Sequence, residues 1–160
     1  MRHNTESFSI RPIELVYFAL GVILLLIFAI VANGQTVHSQ NQQPLYREYR
    51  GVRLGMTAEE ARAKLGVPAM KSDEQDFYVF SANETAQLVY VEQKVVTIST
   101  DYTNGIGAPD YKSVVGENLQ QRPDGSLFRM VLYPSERFWV SYNKGASEVP
   151  VVTITIGKMK

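Results

Sequence analysis

Cysteine is absent from the 160 residues. Disulfides, thiolate zinc sites, thiol nucleophiles and a lipidated N-terminal cysteine are all excluded with it. Histidine is scarce: His3 and His38 are the only two, so nothing beyond residue 45 can supply the imidazole of a Ser-His pair. Net charge is zero and no basic tract occurs, which removes the electrostatic footprint of a nucleic-acid binder. Gly105-Ile106-Gly107 lacks the strand–helix spacing of a phosphate loop and reads as the start of a second helix. Asp73, Glu74 and Asp76 lack the alternating frame and distal glutamate that make carboxylates converge on a cation, so they read as a solvated turn. No metal, cofactor or catalysis is expected. Two alternatives stay open, a carboxylate-dependent envelope hydrolase and a small-ligand-binding sensory domain.

What the chain does contain begins with an apolar run. Residues 1–12 are polar, and residues 13–32 are apolar except for Glu14 at their start. About 20 residues at roughly 1.5 Å each match a hydrocarbon core of about 30 Å. The run reads as a single-pass transmembrane helix. Arg11 precedes it and no Lys or Arg follows until Arg47, so the N-terminus is expected in the cytoplasm and the rest outside it. Ala32-Asn33-Gly34 offers small residues for a signal peptidase, and cleavage after Gly34 would make the protein secreted. Residues 33–45, rich in Gln, Asn and Ser, read as a flexible linker to a domain over 46–160.

Residues 51–68 carry the densest local signals. Thr57 and Glu60 form a capping box, Met56 and Ala61 a hydrophobic staple, Gly66 a C-terminal cap and Pro68 a stop. Three β-rich runs follow, at 77–80, 87–91 and 95–100. The pattern then recurs: Pro109 is placed in the first turn of a short helix ending at Gly116, ahead of runs at 127–133, 137–143 and 151–156. Leu54-Gly55 matches Ile106-Gly107, Phe77 matches Phe128, and 95–100 matches 151–156. These matches define a repeat over 51–102 and 105–157. Asn83-Glu84-Thr85 fits a glycosylation pattern but reads as a hairpin turn.

Alternation then assigns the faces of the second repeat. Phe128, Met130 and Leu132, with Phe138, Val140, Tyr142, Val152, Ile154 and Ile156, are expected to face the core. Arg129, Tyr133, Arg137 and Trp139 then fall on an open face, and Tyr78 and Phe80 extend it in the first repeat. Arginine and large aromatics are the residue types enriched at binding hot spots, so these six are the candidate partner-binding set.

The stretch of glycine, an apolar pair, Gly-Met-Thr, two acidic residues and Leu-Gly-x-Pro at 51–68 resembles the opening motif of the small outer-membrane-assembly lipoproteins, the SmpA/OmlA or BamE-like family. The tandem pattern resembles the β-lactamase inhibitor proteins (BLIP-like), which share that fold. The resemblance implies an α+β fold: an N-terminal transmembrane helix, then a two-layer domain of tandem helix–three-strand antiparallel units. It also implies a non-enzymatic extracytoplasmic module binding an envelope protein in assembly, inhibition or scaffolding. The chain departs from both families in lacking a lipobox cysteine and disulfides.

Overall fold

A computed structural model of the chain describes residues 43–117 and 119–159, which fall in one unit, Ser39–Lys160. A segment without regular structure leads to helix α1 (Ala58–Leu65). The Thr57 hydroxyl accepts from the Glu60 amide at 3.2 Å, and the Glu60 carboxylate accepts from the Thr57 amide at 2.8 Å. Gly66, at φ 87°, ends the helix in a conformation that side chains disfavour. The capping box and C-terminal glycine therefore stand as read.

Four strands follow: β1 (Met70–Lys71), β2 (Gln75–Ser81), β3 (Glu84–Val91) and β4 (Lys94–Thr103). After helix α2 (Tyr111–Val115) come β5 (Gln120–Gln121), β6 (Leu127–Tyr133), β7 (Phe138–Lys144) and β8 (Val151–Lys158), with a 3₁₀ turn at Pro134–Glu136. All eight strands join in one antiparallel sheet of order β1-β2-β3-β4-β8-β7-β6-β5. From each edge the strands run in chain order to the centre, which is the β4–β8 pair. There Ser99 lies opposite Thr155, with their hydroxyls 3.1 Å apart.

This overturns the expected fold class. The described residues are mostly one continuous eight-stranded antiparallel sheet with two short helices, in place of the expected α+β domain of tandem helix–three-strand units. Two short strands, β1 and β5, were not anticipated, and β4 reaches 10 residues. The halves join edge to edge through backbone hydrogen bonds, which hydrophobic patterning does not encode. The transmembrane helix expected over 13–32 lies outside the described residues. Among the described residues no helix is long and apolar enough to cross a membrane.

The second helix also starts later than expected. Asp110 caps it by accepting from the Lys112 amide at 2.8 Å, so Pro109 precedes the cap. Residues 105–107 form turns instead of the helix start.

One sheet face is covered by α1, α2 and the opening segment, and the core lies there. Leu88, Ile98, Ile154, Ile156 and Val140 run across its middle, each at most 1% exposed. Ala58 and Ala61 pack down from α1, and Val114 and Val115 from α2. The assignments of β7 and β8 stand, since Phe138, Val140, Tyr142, Val152, Ile154 and Ile156 are all buried. That of β6 is reversed: Val131 and Tyr133 are buried, while Met130 and Leu132 are 44% and 39% exposed. Alternation separates two faces without naming the inner one. Here the inward residues find partners. Arg129 donates to the Val115 carbonyl at 3.1 Å, and the Tyr133 ring stacks on Phe138.

Candidate functional site

The six candidate residues do not share a face. Tyr78 and Phe80 lie on the covered side of β2, stacked with ring centroids 5.8 Å apart. Burial, then the neighbouring Asp76 charge, pushes the Tyr78 phenol up to about 12. Phe80 carries the Arg50 guanidinium 4.2 Å above its ring, and Arg50 in turn pairs with Glu84 at 2.7 Å. Arg129 and Tyr133 also point to the covered side, and Tyr133 stacks on Phe138 at 4.9 Å. Arg137 is exposed in the turn before β7, and Trp139 stands on the open face. Four of the six therefore hold the fold together; of the other two, Arg137 is exposed and Trp139 half-buried.

Asp76 was read as part of a solvated turn, yet it is 0% exposed. Arg62 on α1 grips its carboxylate through two donors, Nε to Oδ2 at 2.8 Å and Nη2 to Oδ1 at 3.0 Å. The Tyr90 hydroxyl donates to Oδ2 at 2.7 Å. Burial pushes the carboxyl up, but Arg62 and Tyr90 outweigh it and hold the group below the usual carboxylate range. The pair fastens α1 to the sheet. An Arg and an Asp separated by 14 positions carry no sequence signal that they meet.

No helix among the described residues lies over the other sheet face. Its centre is polar: Thr153 donates to Asp101 at 2.6 Å beside the Ser99–Thr155 contact. Toward β6 it turns apolar. Trp139 lies opposite Leu132, and Met130 opposite Ser141, forming a strip across β6 and β7. The indole rests on Gly157, where an added Cβ would come within 2.4 Å of the ring. Glycine is thus required at 157 for Trp139 to lie flat against the sheet.

At the Arg137 end of β7 the covered side opens into a groove of about 370 Å³. Phe138 and Ile156 line it together with Leu54, while Arg47, Arg53, Arg137 and Lys158 bring four cationic side chains to it and Glu136 one carboxylate. Arg47 pairs with Glu136 at 2.8 Å and Arg53 with Glu48 at 2.6 Å. Among the described residues Arg137 and Lys158 have no such ion pair.

Among the described residues no three His, Asp or Glu side chains converge on a point that could hold a metal ion. Comparison of the chain with protein-family models, with curated proteins and with solved structures finds no match.

Proposed function

We propose that this chain is a membrane-anchored, extracytoplasmic protein-binding module that works without catalysis, by seating an envelope protein on the open face of its sheet. The observation carrying this reading is the strip of exposed Met130 and Leu132 beside the half-buried Trp139, an apolar surface without a helix over it among the described residues. Trp is the residue most enriched at interface hot spots, and contiguous exposed apolar surface marks interaction sites. The apolar run at 13–32 supports the anchor. The likeness of residues 51–68 to envelope-assembly lipoproteins supports the setting.

The test is cross-linking and mass spectrometry of the full chain in native membranes, with Trp139→Ala and Gly157→Ala variants. Both should lose the cross-linked protein, the first by removing the indole and the second by lifting it. Retention of the same cross-links in both would remove the open face from consideration. The N-terminal peptides recovered in that experiment report whether the anchor is kept.

A further inference from the structure

The groove at the Arg137 end of β7 lies on the opposite side of the sheet from Trp139, and its chemistry is different. Arg137 and Lys158 are held side by side by the sheet itself. Lys158 lies opposite Phe138, and the Met159 amide donates to the Arg137 carbonyl at 2.8 Å. Arg137 sits at φ 58° and ψ 40°, a left-handed conformation that costs a non-glycine residue energy. A glycine would satisfy this turn better, yet an arginine occupies it. Strain of this kind collects at functional sites.

Two cations without an ion pair among the described residues, Arg137 and Lys158, line the groove beside the apolar Phe138 and Ile156. The complementary ligand joins anionic groups to an apolar one. Small-molecule sites enclose most of their ligand. This groove is open along one side, so an extended segment can cross it with both ends free. We infer that the groove binds an acidic peptide segment, with an apolar side chain against Phe138 and Ile156 and the flanking carboxylates on Arg137 and Lys158. Arg47 and Arg53 are already neutralised by Glu136 and Glu48, so the positive charge left to the ligand is that of Arg137 and Lys158.

The experiment is titration calorimetry of the full chain in uncharged detergent micelles with the capped peptide Ser-Asp-Phe-Asp-Ser. Saturable binding is expected, weakening with added salt. It should fall about tenfold or more in each of Arg137→Gly and Lys158→Ala, the loss of one charge-assisted pair. Peptides with Lys for Asp, or Ala for Phe, should bind more weakly still. Arg137→Gly suits the turn, so it should melt no lower than the parent, which separates lost binding from lost folding. The groove and the Trp139 strip lie on opposite sides of the sheet, so failure of the open-face reading leaves this one standing. Absence of saturable binding at about 1 mM peptide overturns the inference. So does an affinity in both groove variants equal to that of the parent.

Discussion

At the scale of the residue, removing the Arg62 guanidinium would leave the Asp76 carboxylate buried with only phenols as partners. Losing one member of a buried pair costs about 3–5 kcal/mol, because the other charge is stranded. Asp76→Ala should cost less, since the Arg62 side chain is 20% exposed and can turn toward water. The pH dependence follows in sign. The native carboxyl is held low, so its contribution is present above the ordinary carboxylate range and is lost as the pH falls through its folded value. In Arg62→Ala burial dominates and the carboxyl is pushed up, so acid relieves the variant while it weakens the parent. Urea unfolding of both proteins at about pH 7 and about pH 4 should show their stability gap narrowing in acid. A gap that widens would mean the bridge does not govern the Asp76 charge. None of this was legible in the sequence. Asp73 and Glu74 are indeed exposed, and only the third acid of the cluster turns inward to meet a residue on α1.

At the scale of the element, α1 was legible because its signals are local: Thr57, Glu60 and Gly66 act within a single helical length. What sequence did not supply is where the helix docks. The Ala58 amide donates to the Gln93 carbonyl at 2.9 Å, and the Gly55 amide to that of Val95 at 2.8 Å, so the start of α1 is hooked over the β3–β4 hairpin. That hairpin turns through Glu92 and Gln93 at φ 51° and 59°, the two positive φ values of a type I′ turn. Neither residue favours this region. Replacing the pair as Glu92→Asn with Gln93→Gly should raise stability by about 1 kcal/mol, read as a higher melting temperature. A lower melting temperature would show that these side chains hold something the turn needs. Strand β6 was misread for a related reason. Its outer residues are the more apolar set, and only the Val115 carbonyl under Arg129 and the Phe138 ring against Tyr133 make the amphipathic set the inner one.

At the scale of the whole molecule, the β4–β8 pairing makes one sheet of what the sequence presents as two similar stretches. Ile154, 1% exposed, lies opposite Thr100 on β4 and Tyr142 on β7, and so belongs to the core of both halves. Ile154→Ala should cost roughly 2–5 kcal/mol by opening a cavity there. Native-state hydrogen exchange should show the amides of β3 and β7 losing protection together. Loss confined to one side would show that the halves unfold separately. The matched segments at 95–100 and 151–156 were visible in the sequence, but their pairing into a continuous sheet was not. Similar strands can be stacked in layers or laid side by side, and hydrophobic patterning permits both.

The seat of Trp139 on Gly157 has a further consequence. It is the chain's only tryptophan, so all indole fluorescence comes from one place on the open face. The colour of that light, and the ease with which a dissolved quencher extinguishes it, gauge whether water still reaches the strip. The molecule carries its own optical probe at the surface where a partner is proposed to sit.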